Sequence, residues 1–167
     1  AETEYGTAIA VDGTGSAYVV GYVYSAAFPT TPGAYDTSYN GGADLFALKL
    51  SASGTALEYA TYLGGTDQDW HMGGLDVDAG GRAYVTGYTR STDFPTTPGA
   101  FDTSHGGGLC CSGACTCGDV FVVRMNAGGT GLEYGTFLGG NENDYGYDIA
   151  VDQAGTAYVT GLGSSGF

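Results

Sequence analysis

Four cysteines, Cys110, Cys111, Cys115 and Cys117, fall within eight residues and are the only ones in a chain of 167. Thiols this close can bridge as disulfides, hold a soft metal as thiolates, or exchange electrons. A bond between adjacent cysteines is strained, so two longer bridges are expected: Cys110 to Cys115 with Cys111 to Cys117, or the nested alternative. Zinc is the second reading, although the spacing lacks the paired C-x-x-C knuckles of common structural zinc sites. His105 stands five residues before Cys110 and could act as its base. The Gly-rich surroundings offer no third group to orient it, so no catalytic residue is assigned there. His71, beside Trp70, reads as a surface or packing residue.

Oxygen chemistry is concentrated in two further loops, Thr66-Asp67-Gln68-Asp69 and Asn141-Glu142-Asn143-Asp144. Clustered carboxylate and amide oxygens suit calcium, which makes Asp67, Asp69, Asn141, Glu142, Asn143 and Asp144 the candidate metal ligands; the alternative is a pair of solvated acidic loops. The spacing is not that of an EF-hand, and no cofactor is required. Asp12, Asp78 and Asp152 recur at one hairpin position and read as turn formers, whereas a catalytic carboxylate pair needs two different environments. No H-E-x-x-H, Walker loop or G-x-S-x-G elbow occurs. The Gly128 to Gly131 run joins strand to strand, so it lacks the helix N-terminus that cradles phosphate. Thr30, Thr31, Thr96 and Thr97 beside prolines are candidate acceptors for O-linked sugars, and the chain has no N-x-S/T acceptor.

The elements that position these groups are repeats. Phe28-Pro29-Thr30-Thr31-Pro32-Gly33-Ala34-Tyr35-Asp36-Thr37-Ser38 returns 66 residues on, from Phe94 to Ser104, with Phe101 in place of the tyrosine. Ala17-Tyr18-Val19-Val20-Gly21 returns as Ala83-Tyr84-Val85-Thr86-Gly87 and again as Ala157-Tyr158-Val159-Thr160-Gly161. Leu57 to Gly65 returns as Leu132 to Gly140, now shifted by 75, and the nine extra residues are the cysteine insertion. The divisions are therefore 1–66, 67–140 with the insertion at 109–117, and 141–167.

Each full unit holds four strand-like runs, in the first copy about Thr7 to Val11, Ala17 to Tyr22, Leu45 to Leu50 and Glu58 to Leu63. Tight Gly-containing turns join the first to the second and the third to the fourth. The second connection carries the Phe-Pro-Thr-Thr-Pro-Gly block, whose prolines resist strand pairing and whose Phe28 and Phe94 are expected to anchor it between neighbouring units. Composition agrees with an all-β chain: Gly supplies 32 residues, Tyr 14 and Phe 7. A formal charge of −14 repels phosphate backbones, so nucleic acid is a poor partner. No apolar run approaches the roughly 20 residues of a membrane-spanning helix.

The Ala-Val-Asp and Ala-Tyr-Val-Thr-Gly runs, the Phe-Pro-Thr loop, the Asp-Leu-Phe-Ala-Leu-Lys strand and the Tyr-Leu-Gly-Gly close together resemble the bacterial beta-propeller repeat (SBBP) family. The resemblance implies an all-β fold of tandem four-stranded antiparallel blades of β-propeller type, with two complete units and the first half of a third. It implies large extracellular or cell-surface proteins, and it carries no catalytic residues to transfer. Propellers close with about four to eight blades, so this chain alone does not close a ring. Either the missing strands belong to a larger propeller or another copy completes the half blade, joining subunits head to tail.

The expected function is therefore that of a non-catalytic extracellular structural repeat protein, a surface scaffold or a subunit of a self-assembling appendage. The expected partners are copies of itself or further blades, with no membrane span. A carbohydrate- or protein-binding adhesion module is the alternative, and a fragment of a propeller enzyme the third reading. If the cysteines form a local staple, the intact mass should rise on reduction by the hydrogens the thiols take up; an unchanged mass eliminates the staple.

Overall fold

The computed structural model describes residues 3–108 and 117–164, apart from the side chain of His71. Ten strands run in chain order: β1 (Glu4–Val11), β2 (Ala17–Val23), β3 (Asp44–Leu50), β4 (Leu57–Leu63), β5 (Asp69–Val77), β6 (Ala83–Thr89), β7 (Asp119–Met125), β8 (Leu132–Leu138), β9 (Tyr145–Val151) and β10 (Ala157–Leu162). No helix occurs among the described residues. The strands form two four-stranded sheets in sequential order, β1 to β4 and β5 to β8, and a two-stranded sheet of β9 and β10. Every named pairing is antiparallel. The first strand begins at Glu4, earlier than the alternation beginning at Thr7 suggests, because an irregularity between Gly6 and Ala8 breaks the period while pairing with β2 continues.

Each new sheet lays its first strand across its predecessor. β5 packs on β1, β2 and β3, and β9 packs on β5, β6 and β7. The middle sheet is thus covered on both faces, and every residue of β6 is buried. Chains buried on two faces read as continuous apolar and β-branched runs, as Ala83-Tyr84-Val85-Thr86-Gly87 does. The main core cluster draws Tyr18, Leu45, Tyr59 and Leu63 from the first sheet, and Val85, Phe121, Val123 and Phe137 from the second.

Two details recur at the seams. Asp12 Oδ1 accepts the N–H groups of Thr14 and Ser16, and its Oδ2 accepts the hydroxyl of Tyr18 at 3.1 Å. That hydroxyl is also 3.1 Å from the carbonyl of Gly81 in the matching turn of the next sheet, so its single proton is shared between the two acceptors. Asp78, Tyr84 and the Gly155 carbonyl repeat the arrangement one sheet on. The aspartates therefore form their turns as the spacing indicates, and each turn's tyrosine reaches forward to the next. At the turn between β7 and β8 the Tyr59 ring lies against Gly129, and the Tyr35 N–H donates to the Gly129 carbonyl at 2.9 Å.

Phe28 does not anchor its loop between units. Its ring lies tilted against Phe46 and meets Tyr62 edge-on, both in its own sheet. Phe94 likewise lies on Phe121 and Phe137 of its own sheet, while belonging to the cluster that joins the first two sheets. Pairing of Thr31 with Ala60, and of Thr97 with Gly135, folds each Pro-rich loop back over its own fourth strand, which is why the ring lands there.

Gly129 and Gly54 occupy equivalent turns with φ of 66° and 69°, but only Gly129 faces a neighbour. A Cβ at Gly129 meets the Tyr59 ring at 2.3 Å, whereas one at Gly54 meets nothing within 4 Å. Gly54→Ala should cost about 1 kcal/mol, from the left-handed backbone alone. Gly129→Ala should cost about 2 kcal/mol more, by overpacking the seam. Chemical denaturation of the two variants checks the difference, and equal costs would contradict the seam packing.

Candidate functional site

The only buried carboxylates in the described chain form two equivalent pairs. Asp44 opens β3, Asp69 opens β5 and Asp119 opens β7, while Asp144 immediately precedes β9; all four are wholly buried. The connection entering each new sheet is pinned beside the third strand of the previous one. Asp69 N–H donates to the Ala43 carbonyl, and Asp144 N–H to that of Gly118. This brings the first-strand carboxylate against the third-strand carboxylate. The space they share is left by the glycine that follows the fourth strand. The position of a Gly64 Cβ is 2.8 Å from Asp69 Oδ2 and 3.2 Å from Asp44 Oδ1. At Gly139 the distances are 2.9 Å to Asp144 Oδ2 and 2.8 Å to Asp119 Oδ1. Any side chain at either glycine collides with the pair.

Buried charge requires hydrogen bonds, and the loops supply them. Asp44 accepts from the N–H groups of Asn40 and Gly41. Asp69 accepts from Gly65 N–H, Ser91 Oγ and Thr89 Oγ1. Asp119 accepts from Gly106 N–H through Oδ2, while its buried Oδ1 has no partner. Asp144 accepts from Gly140 N–H and from Ser164 N–H and Oγ. Burial pushes the Asp69 carboxyl up to about 7 and the Asp44 carboxyl up to about 6, against the donors that favour the charged form. Burial raises Asp119 as well, and Asp144 beside it adds to the rise.

The calcium candidates are thus divided between interior and surface. Asp69 and Asp144 are interior groups whose oxygens receive protein N–H and O–H donors, so the description of solvated acidic loops does not fit them. Asp67 donates its N–H to Ser91 Oγ, the Asn141 carbonyl accepts Gly108 N–H, and Asn143 Oδ1 accepts Tyr88 O–H and Gly118 N–H. Glu142 is exposed. Among the described residues no three carboxylate, imidazole or thiol side chains gather as a metal-binding group.

Cys110, Cys111 and Cys115 lie outside the described residues, and so do their pairings. Cys117 is buried, its N–H bonded to the Gly108 carbonyl. Both ring nitrogens of His105 are committed: Nε2 to the Thr89 carbonyl, and Nδ1 as acceptor for Gly107 N–H, with the ring edge-on to Phe137. Trp70 takes part in an aromatic row through the sheets. Tyr5, Tyr22 and Tyr24 are in successive ring contact, the Trp70 indole N–H donates to Tyr24 Oη, and Trp70, Tyr88, Tyr145 and Tyr147 follow as stacked neighbours.

Sequence reasoning did not single out Asp44, Asp119, Tyr18, Tyr84 or Tyr158. Their signals are present: an Asp immediately before the Leu-Phe or Val-Phe of each third strand, and Asp-x5-Tyr in all three copies.

Among the described residues the chain is all-β, in repeated antiparallel sheets that pack one on the next without closing a ring, a propeller-like arrangement. Residues 133–167 match the SBBP beta-propeller repeat family model. That stretch runs from within β8 through β10. No curated protein matches the chain.

A carboxyl whose pKa rises on folding favours the protonated native state, so its contribution is full below the unfolded value near 4 and is lost as pH rises through the native value. Asp44 and Asp69 place that loss between about pH 4 and pH 7. Asp12 acts oppositely: its hydrogen bond from the Thr14 side chain, with further donors, lowers it to about 2, so its contribution is lost only in stronger acid. The unfolding midpoint should therefore peak near pH 4 to 5 and fall by roughly 5 °C toward pH 8. Asp69→Asn should flatten that fall. A profile rising monotonically to pH 8 would contradict the assignment.

Proposed function

We propose that this chain is a non-catalytic structural module of an extracellular surface scaffold or self-assembling appendage. Its two-stranded third sheet is completed by strands of further repeats, supplied by other copies of itself or by further blades of the same polypeptide. The observation carrying this reading is the contrast along one repeated position. Tyr18 and Tyr84 are 1% and 0% exposed beneath the following sheet, whereas Tyr158 is 60% exposed. Val159 and Leu162 are exposed beside it, and β10 pairs only with β9 among the described strands. An open edge flanked by apolar side chains is a ready template for another strand.

The paired aspartates fit a structural role. Each pair sits at a seam, closed in by backbone N–H and hydroxyl donors, and the space beside it is the one left by a glycine. The carbohydrate-binding alternative draws on the exposed ends of the aromatic row, Tyr5 and Tyr147. A sugar stacks on an open ring face, and in this row most faces are occupied by neighbouring rings, which favours the structural reading.

Native mass measurement across a concentration series, followed by electron microscopy, tests the proposal. Concentration-dependent assemblies forming without added ligand are the expected result. A monodisperse monomer at every concentration, with saturable glycan binding, would replace it by the adhesion reading.

A further inference from the structure

The open edge of β10 borders a groove of about 440 Å³ whose walls include Val120 and Leu138 of the second sheet and Tyr145, Val159 and Leu162 of the third. The repeat shows what fills this space one sheet earlier. Leu45 and Leu63, the counterparts of Val120 and Leu138, are each 1% exposed. They lie in one cluster with Phe121, Val123 and Phe137, which belong to the third and fourth strands of the following sheet. The groove is thus the place of a third strand's apolar side chains.

The register identifies that strand further. Gly21 pairs with Phe46, and Gly87 with Phe121, at the centre of the two complete second-to-third strand ladders. In both, the Phe ring covers the glycine: Cε1 is 2.8 Å from the position a Cβ would take. Gly161 is the same position of β10, and no aromatic atom is among the nearest neighbours of its Cβ position. Both resident third strands begin with Asp, an aliphatic residue and Phe: Asp44-Leu45-Phe46-Ala47-Leu48 and Asp119-Val120-Phe121-Val122-Val123. Phe101 supplies a second, independent indication. Its counterpart Tyr35 donates its N–H to the turn that follows the third strand of the next sheet, while Phe101 is 86% exposed.

Resting on the assembly reading above, we propose that the groove and edge of β10 bind an extended Asp-aliphatic-Phe-aliphatic-aliphatic segment of a further repeat. The segment adds antiparallel to β10 with its Phe seated on Gly161 and its Asp opposite Gly163. Backbone hydrogen bonds to β10 supply affinity, and the Phe seat fixes register, since a slip by one residue turns the Phe away from the glycine.

The test adds a synthetic peptide carrying Asp44 to Leu50, with solubilising lysines at its ends, to the whole chain. Saturable one-to-one binding is expected, with slowed amide exchange confined to Ala157 to Gly163. Replacing the peptide's Phe46 by Ala should weaken binding at least about tenfold. Equal binding by the Ala peptide, protection elsewhere in the chain, or no saturable binding overturns the proposal. Because the substitution is in the peptide, the fold of the chain is untouched. Assemblies that form while the peptide neither binds nor competes leave the structural reading standing and remove this one. Peptide binding by a chain that never assembles does the reverse.

Discussion

A sheet with two apolar faces is stable in water only when other layers cover them, and the architecture of this chain follows from that constraint. Each sheet meets it by placing its first strand over the first three strands of its predecessor. The contact is held at one place by a tyrosine hydroxyl that reaches the next turn's glycine carbonyl, and at another by Tyr59 lying on Gly129. The middle sheet satisfies the constraint on both sides. The outermost strands satisfy it on one, and the exposed side chains of β1, including Ile9 and Val11, are the counterpart of those on β10.

Acidic excess has to be reconciled with this packing. The chain has only four cationic side chains, and two of them occupy the same repeat position. Lys49 lies over the Tyr18 ring and pairs with Glu58; Arg124 lies over Tyr84 and Tyr134 and pairs with Glu133. These cations thus serve the hairpin ends of the sheets and are absent from the paired aspartates. At the latter, backbone N–H groups and hydroxyls do the stabilising, and the raised pKa values of Asp44, Asp69 and Asp119 relieve part of the repulsion by favouring a proton.

The repeat made much of the strand layout legible, because a motif returning at fixed spacing reveals where apolar runs end and turns begin. Asp12, Asp78 and Asp152 were readable as turn residues for a local reason: the hydrogen bonds that define an Asx-type turn are made within four residues. What stayed hidden depends on distant parts of the chain. Asp44 looks like an ordinary strand-opening residue until the connection carrying Asp69 is pinned beside it. Phe28 looks free to bridge units until its loop folds back on its own fourth strand. Gly64 and Gly139 look like no more than part of the repeated Leu-Gly-Gly run, whereas they are required for the space they leave to carboxylates.

The sole tryptophan has a consequence of another kind. Trp70 stands where the first two sheets meet, its indole N–H on Tyr24 of one and its ring stacked on Tyr88 of the other. Its emission spectrum is therefore a built-in optical gauge of a single seam. Separation of those two sheets would change the polarity around the indole, while events at the β10 edge would reach it only through the intervening tyrosines.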